Sequence, residues 1–171
     1  MHTKENAASA LDRALRSASL YRLYARAAQD EGYVQIADLF RQSADNLLEH
    51  AALLWELAAD CRTPSTAENL AAALENAREN SYAAYAETAE REALPQTAYL
   101  LRQLAGVEQN HARRFRILGE NLRTGAVFQK TQDCYWICRI CGALHRDAAA
   151  PQTCPVCGFG QGCFSLYAED F

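Results

Sequence analysis

Four cysteines near the end of this chain are spaced so that they could bind one metal ion. They form two C-x-x-C pairs separated by twelve residues, and a glycine follows each pair. A two-residue gap lets both thiolates of one turn reach the same ion, and two such turns complete a tetrahedron of sulfur. The sequence therefore predicts a metal site formed by Cys138, Cys141, Cys154 and Cys157.

Cysteine ligation alone does not distinguish iron from zinc. Iron in such a cage would carry an electron, whereas zinc would be redox-silent and would only hold the fold together. Two further cysteines, Cys134 and Cys163, lie outside the predicted cage. They could face each other on neighbouring strands, although a cytosolic chain favours two free thiols.

Acidic and histidine side chains also recur at metal-binding spacing in the helical part of the chain. Glu108 and His111 are three residues apart, which places both side chains on one face of a helix. In an earlier helix the corresponding residues are Leu47 and His50, so leucine stands where the carboxylate would be. A di-iron site in a four-helix bundle needs a Glu from each of two helices and a Glu-x-x-His from each of the other two. The sequence supplies only part of that ligand set.

Four helices should position these side chains. Alanine and leucine recur at spacings of three and four, which predicts helices at about 8–30, 34–60, 66–92 and 95–122. Gly32, Pro64 and Pro95 mark the breaks, and Ser65 with Glu68 has the pattern of a capping box. We expect a mainly α fold, a four-helix bundle followed by a small β domain, with the boundary near 124–132.

The helical part contains an internal repeat. A shift of 61 residues places the segment 35–44 on 96–105 with six identities, and it places His50 on His111. The first two helices are therefore interpreted as a copy of the last two. The bundle should have approximate two-fold symmetry, with the two histidines as mates.

Several stretches resemble known families. The segment from Tyr135 through both C-x-x-C pairs to Phe164 is similar to rubredoxin, which implies a single iron that cycles between ferrous and ferric states. The segments 31–40 and 126–128, with the order of the domains, resemble rubrerythrin across essentially the whole chain. This resemblance implies a ferritin-like bundle at 1–124 and a rubredoxin-like domain at 125–171. It also implies a bundle di-iron centre that reduces hydrogen peroxide, with electrons delivered through the rubredoxin-like iron.

The resemblance also indicates which di-iron ligands are missing. The glutamates of the family's first and second helices fall on Ala14 and Leu47, and the histidine of the second helix falls on His50. The pair of the fourth helix falls on Glu108 and His111, and both residues are retained. Two of these three carboxylate positions are therefore apolar.

The third helix is shorter here than in the family, so its two ligand positions are ambiguous. They fall on Leu74 and Ala77 in one alignment, and on Ala77 and Asn80 in the other. Glu75, the repeat mate of Ala14, could replace one of them. Without the full carboxylate set, most of the charge of two iron ions would be uncompensated. We expect no di-iron centre, and two alternatives stay open: a metal-free bundle core, or a single metal held by His50, Glu108 and His111, with or without Glu75.

Two functions are consistent with the sequence and with its resemblance to rubrerythrin. The first is a rubrerythrin-type oxidoreductase, an NADH- or peroxide-linked reductase by resemblance, that transfers electrons at the four-cysteine site with its peroxide reduction weak or lost. The second is a non-enzymatic protein that uses its bundle for dimerisation or partner binding and holds a structural zinc. The resemblance implies a homodimer, with head-to-tail or swapped domains, and electron transfer requires a redox partner protein.

Composition and hydropathy argue against a nucleic-acid or membrane partner. The formal net charge is −4, and the cysteine segment carries no cluster of Lys and Arg, which argues against a nucleic-acid partner. No apolar run approaches the roughly 20 residues that a bilayer span needs. The first residues lack the basic stretch and apolar core of a signal peptide. We therefore predict a cytoplasmic protein without a membrane partner.

Overall fold

The computed structural model describes residues 2–58 and 62–168. Within these ranges the α-helices are α1 (His2–Asp30), α2 (Val34–Ala58), α3 (Thr66–Arg78), α4 (Tyr82–Arg91) and α5 (Pro95–Arg123). They are followed by β1 (Gln129–Cys138), β2 (Leu144–Ala149), a short 3-10 helix (Gln161–Cys163) and β3 (Phe164–Leu166). The predicted fold class, mainly α with a small C-terminal β domain, is confirmed. No helix in these ranges is both long and apolar enough to cross a membrane.

The chain forms two compact units, Met1–Pro64 and Ser65–Phe171. The first unit is the hairpin of α1 and α2, and its buried residues are all alanine among those described. On α2 the buried alanines recur every seven residues, which is the spacing of one helix face. Small side chains at this seam let the two helices lie close together. The seam consists of Ala7, Ala14, Ala18, Ala25 and Ala28 on α1, and Ala37, Ala44 and Ala51 on α2.

In the second unit α5 packs against α3 and α4. Its buried helical residues are again alanines: Ala77, Ala86, Ala89, Ala98 and Ala105. Four of these five are the repeat mates of buried alanines in the first hairpin, at positions 25, 28, 37 and 44. The repeat seen in the sequence is therefore also a repeat of the buried seam.

The turn of each hairpin has the same hydrogen bonds. Gly32 and its repeat mate Ala93 both have positive φ, at 87° and 59°. The N–H of Gly32 and that of Tyr33 donate to carbonyls three and five residues earlier, at 3.1 and 2.8 Å. The N–H groups of Ala93 and Leu94 do the same at 3.0 and 2.8 Å. Both helices thus end in the left-handed motif that satisfies their last carbonyls.

A matching side-chain contact links the two helices of each hairpin. The Arg41 guanidinium donates to Gln29 Oε1 at 3.1 Å, and its repeat mate Arg102 forms an ion pair with Glu90. Residues 29 and 90 are themselves mates in the repeat. Turn, seam and cross-helix contact therefore all support the interpretation of a duplicated helical hairpin.

The predicted third helix, 66–92, is interrupted in the structure. The capping box at its start is confirmed, because Ser65 N–H donates to Glu68 Oε2 at 2.7 Å and Glu68 N–H donates to Ser65 Oγ at 3.3 Å. However, α3 ends at Arg78 and α4 begins at Tyr82. Asn80 Nδ2 donates to Ala77 O at 2.7 Å, and Tyr82 N–H donates to Asn80 Oδ1 at 3.3 Å. These local bonds replace helical ones, which is why a continuous helix was the wrong prediction here. Residues 59 and 60, at the predicted end of the second helix, and Cys61 lie outside the described residues.

The small sheet has the strand order β2-β1-β3, and both pairings are antiparallel. Trp136 on β1 lies opposite His145 on β2 and Leu166 on β3. Its indole Nε1 donates to Asp147 O at 3.1 Å, so the buried ring leaves no polar atom unsatisfied. The core around this ring is small and consists of Trp136, Cys138, Ala150, Cys154 and Phe164.

Candidate metal centre

The structure brings the four predicted cysteines together. Their sulfur atoms all lie within 4.8 Å of one another. The Sγ atoms of Cys138 and Cys157 are 3.7 Å apart, as are those of Cys141 and Cys154. A tetrahedral ion with metal–sulfur bonds of about 2.3 Å places its sulfurs about 3.8 Å apart. The four thiols therefore fit one tetrahedral ion, either iron or zinc. We call this group the cage.

Two loops of the same geometry form the cage. Gly142 and Gly158 each have φ of 77°, and their N–H groups donate to Cys138 O at 2.8 Å and Cys154 O at 2.9 Å. The N–H of Cys138 donates to Ala143 O at 2.9 Å, and that of Cys154 to Phe159 O at 2.8 Å. A residue with a Cβ would be strained at either glycine. The glycine after each pair is thus the reason the loop returns with both thiols on one side.

The first thiol of each pair is stabilised as a thiolate by backbone N–H groups. The pKa of Cys138 is lowered to about 7, chiefly by the backbone hydrogen bond from Cys141, against the opposing effect of burial. The pKa of Cys154 is lowered in the same way, first by the backbone hydrogen bond from Cys157. A thiolate is the form that binds a metal, so these two groups are the first ligands available.

The second thiol of each pair behaves in the opposite way. Backbone hydrogen bonds from Ala143 and Phe159 favour their thiolates, but desolvation and neighbouring cage thiols outweigh them. The pKa of Cys141 is raised, and that of Cys157 is raised to about 12. Four thiolates so close together would repel one another unless a cation lay between them. The electrostatics of the cage is therefore that of a cation site.

Burial divides the cage into an inner and an outer edge. Cys138 and Cys154 are 0% and 1% exposed, whereas Cys141 is exposed and Cys157 is half-buried. The side chains of Ile140 and Val156, each next to an outer cysteine, are also exposed. One side of the cage is therefore part of the domain core, and the other side is within reach of another molecule.

The remaining cysteines of this domain do not pair. Cys163 precedes Phe164, which lies opposite Cys138, so it lies at the cage end of β3. Cys134 lies four residues before Cys138, opposite Asp147 on β2, and its thiol donates to Asp147 O at 3.6 Å. Both are free thiols, and the possibility that they face each other on neighbouring strands was wrong.

The first hairpin has a groove at the positions where the resemblance places metal ligands. The groove has a volume of about 370 Å³ and is lined by residues of α1 and α2. Ala14 and Leu47, which stand where the family has glutamates, line it together with His50. Its other lining residues are Ala10, Arg13, Ser17, Tyr21 and Leu54, so none of the lining residues is a carboxylate.

The other predicted bundle ligands belong to the second unit. On α5, His111 Nδ1 lies 3.5 Å from Glu108 Oε2, as the three-residue spacing predicted. Glu75 on α3 is exposed. Within the described residues, no group of three ligands joins Glu75 to Glu108 and His111. The bundle metal site stays a prediction.

Two features of these sites were missed in the sequence. One is the set of backbone N–H donors to the cage, for which the following glycines were the available signal. The other is the line of Arg13, Ser17 and Tyr21 along the groove. Their regular four-residue spacing on α1 was visible in the sequence and indicates one helix face.

The chain combines helical hairpins with a four-cysteine cage, an arrangement that defines a class of metal-binding proteins. Comparison with known proteins identifies the family. The family model "Rubrerythrin" matches residues 11–68 and 68–134, and "Rubrerythrin, rubredoxin-like domain" matches residues 136–165. The chain belongs to the rubrerythrin family.

Two rubrerythrin sequences agree with this assignment. A rubrerythrin of Porphyromonas gingivalis is 38% identical over 160 residues, which cover 85% of this chain and 80% of the relative. A rubrerythrin of Clostridium perfringens is 30% identical over an alignment of 187 positions, and the alignment covers 99% of this chain and 96% of the relative. A solved structure of nigerythrin in a mixed-valence state is 25% identical, with a TM-score of 0.34, and the match covers 96% of this chain and 86% of that chain.

Proposed function

We propose that the chain is a rubrerythrin-type iron protein that transfers one electron at the cage and has weak peroxide reduction or none. The observation that supports this most is the geometry of Cys138, Cys141, Cys154 and Cys157, whose sulfurs lie within 4.8 Å of one another. Iron bound there supplies a one-electron couple between its ferrous and ferric states.

The residues of the cage suit electron transfer. Hydrogen bonds from backbone N–H groups to the ligand sulfurs stabilise negative charge there, which is one of the ways in which a protein sets an iron–sulfur potential. The exposed Cys141 gives a redox partner protein close access to the centre. The buried Cys138 and Cys154 tie the same centre to the core, so little should move when its charge changes.

Loss of the peroxide-reducing centre is proposed from the groove of the first hairpin. Two iron ions bring about four positive charges, and carboxylates must neutralise them in a bundle of low dielectric. Ala14 and Leu47 supply none, and Arg13 adds a positive charge among the lining residues. A pair of iron ions at this place is therefore disfavoured. A single ion on His50, Glu108 and His111, with or without Glu75, stays the alternative.

A homodimer is the assembly we propose. Large apolar side chains are exposed along both hairpins, with Leu39 and Leu53 in the first unit and Tyr99 and Leu100 in the second between 57% and 64% exposed. Surfaces of this kind are usually covered by a partner. Light scattering coupled to size-exclusion chromatography should give twice the chain mass, and a monomer mass at micromolar concentration would contradict the proposal.

The cytoplasm is the compartment we propose. Cys134 and Cys163 are free thiols beside a thiolate metal site, and such thiols persist where the environment is reducing. Alkylation of the protein in intact cells, followed by mass spectrometry, should find both thiols reduced. A disulfide between either of them and another molecule would argue for an oxidising compartment.

Metal content per chain is the deciding experiment, measured on anaerobically purified protein from iron-supplemented cells together with its absorption spectrum. We expect about one iron per chain, with a ferric–thiolate absorption that is lost on reduction. About three irons would restore the di-iron reductase, and two metals would indicate the single bundle ion. Zinc alone, without colour and after iron reconstitution has failed, would favour the non-enzymatic alternative with a structural metal.

Matched variants connect the colour to the cage and test the peroxide reaction. Cys141→Ser should shift and weaken the iron–thiolate absorption, because three thiolates remain, whereas Cys163→Ser, which makes the same change outside the cage, should leave it unchanged. The reduced protein should then be mixed with hydrogen peroxide. Slow or absent reoxidation is expected, and rapid catalytic turnover would contradict the proposed loss of activity.

A further inference from the structure

Residues 125–128, which we call the junction, connect the end of α5 to the start of β1 within the second unit. The junction is bonded to the helix at one end and to the sheet at the other. We propose that a metal ion in the cage keeps the junction rigid, through Phe128, and that the junction becomes mobile when the ion is lost. This rests on the proposed metal binding at the cage, but not on electron transfer there.

The helix end of the junction is held by bonds within the last turn of α5. Gly125 has a φ of 72°, and its N–H donates to Leu122 O at 3.3 Å. The N–H of Ala126 donates to Asn121 O at 2.7 Å. This left-handed motif satisfies the last carbonyls of the helix. None of these groups belongs to the cage or to the sheet, so this end should stay fixed whether or not a metal is bound.

The sheet end of the junction is held by Phe128 and Lys130. The side chain of Phe128 packs against the small core of the sheet, and its carbonyl accepts a hydrogen bond from Ala150 N–H at 2.9 Å. Lys130 Nζ donates to Ala126 O at 2.6 Å, which ties the start of β1 to the junction as well. Only Val127 therefore separates the residue bonded to the helix from the residue anchored in the sheet.

This sheet end depends on the cage because two cage cysteines form part of the core that Phe128 packs against. Cys138 and Cys154 belong to that core and are 0% and 1% exposed. Four thiolates so close together need a cation between them, and a domain this small needs its metal to maintain a core. Without the ion, the surface on which Phe128 packs should therefore be lost.

Hydrogen bonds form a second connection between the cage and the junction. Arg139, which lies between two ligand cysteines, donates its N–H to Cys163 O in the 3-10 helix at 2.8 Å. In the same helix Gln161 Nε2 donates to Ala150 O at 2.7 Å. The N–H of Ala150 in turn donates to Phe128 O. A change in the first loop of the cage is therefore linked to the junction by hydrogen bonds as well as by packing.

The two ends of the junction should respond differently to loss of the metal. The helix end keeps its bonds, whereas the sheet end loses the core that anchors it, so motion should begin at Val127. A loaded cage is then held in one position relative to α5, and an empty cage is not. A redox partner would meet only the loaded cage in a fixed orientation on that helix.

The test is ¹⁵N NMR relaxation of the full chain, measured without metal and with diamagnetic zinc in the cage. With zinc bound, we expect backbone order parameters of about 0.85 throughout the junction. Without metal, the order parameters of Val127 and Phe128 should fall below about 0.6, while that of Gly125 stays near the rigid value. A junction that is equally rigid, or equally mobile, in both states would overturn the proposal.

The zinc content of the same samples separates this proposal from the proposed function. Zinc uptake with an unchanged junction would overturn the metal-dependent rigidity alone. A cage that binds zinc and stiffens the junction, but does not hold iron, would contradict electron transfer and support the rigidity. If the chain took up no zinc at all, the cage and this proposal would both be wrong.

Matched variants of the zinc-loaded chain test the role of Phe128. Phe128→Ala should retain one zinc per chain but lower the order parameter of Val127 towards its metal-free value. Tyr135→Ala removes an exposed ring from β1 and should leave the junction rigid. A rigid junction in Phe128→Ala, or equal effects of both variants, would overturn the proposal.

A second variant decides the question if Phe128→Ala no longer binds zinc. Lys130→Met removes only the ammonium bond to Ala126 O and keeps an unbranched side chain at the start of β1. With zinc bound, it should lower the order parameter of Val127 by less than removal of the metal does. An order parameter that Lys130→Met leaves unchanged would then overturn the proposal.

Discussion

Ala93 occupies a conformation that its side chain disfavours, and replacing it should stabilise the protein. Its φ is 59°, and its repeat mate Gly32 has φ of 87° at the equivalent turn. The left-handed conformation costs a residue with a Cβ roughly 1–2 kcal/mol. Glycine avoids that cost but loses roughly 0.4–1 kcal/mol through its greater freedom in the unfolded chain. Ala93→Gly should therefore raise the free energy of unfolding by roughly 0.5–1 kcal/mol.

The reverse change at the other turn should have the opposite sign. A Cβ built at Gly32 meets no atom within 4 Å, so only the conformational cost acts there. Gly32→Ala should lower the free energy of unfolding by roughly 0.5–1 kcal/mol. The two turns lie in different units, so their effects should add and the double variant should be close to the unchanged chain.

Urea unfolding of the metal-loaded chain, followed by far-UV circular dichroism, measures both effects. In thermal unfolding the corresponding shift of Tm is roughly 1–4 °C for a chain of this size. Ala84→Gly is the matched control, because Ala84 is exposed inside α4 and the same change should cost roughly 1 kcal/mol there. If Ala93→Gly destabilised the protein as Ala84→Gly does, the reasoning from backbone conformation would be refuted.

Three further predictions concern metal binding. In a Trp55→Phe background, chelation should shift the emission of Trp136 to the red while the helical signal persists, because cage cysteines form part of the core around that ring; unchanged emission would contradict this. Zinc uptake by the metal-free chain should accelerate as pH rises through about 7, because the lowered pKa of Cys138 makes its thiolate available above that pH and removes it below. An acceleration only near the ordinary thiol pKa of about 8.5 would argue against it. Ala14→Glu combined with Leu47→Glu should increase metal content by restoring carboxylates to the groove, and an unchanged content would show that the ligand positions were assigned wrongly.

The cage and the fold class could be predicted from the sequence because local spacing determines them. A C-x-x-C pair followed by glycine specifies its own turn, and both glycines have φ of 77°. The hairpin turns were equally local, since Gly32 and Pro95 mark them in the sequence. Where the interactions that decide a structure lie within a few residues, inspection of the sequence finds them.

Other features depended on competition between side-chain and backbone hydrogen bonds, or on the register of paired strands. The spacing of residues in the sequence reveals neither. The alanine-rich segment around Asn80 has high helix propensity, but the Asn80 side chain binds Ala77 O and Tyr82 N–H and ends the helix. Cys134 and Cys163 could have faced each other on neighbouring strands, but the pairing of Cys138 with Phe164 places Cys163 beside the cage, whereas Cys134 lies four residues before Cys138 on β1. A shift of strand register changes every such neighbour, so the sequence alone could not decide between the two possibilities.

The two hairpins differ in ligands but share their scaffold. The alanine seam, the left-handed turn and the Arg41 and Arg102 contacts occur in both copies. Only the second copy has carboxylates at the paired positions, Glu75 and Glu108, where the first has alanine and leucine. The contacts that hold each hairpin together do not involve those positions as charged groups, so the ligands can be lost without loss of the fold.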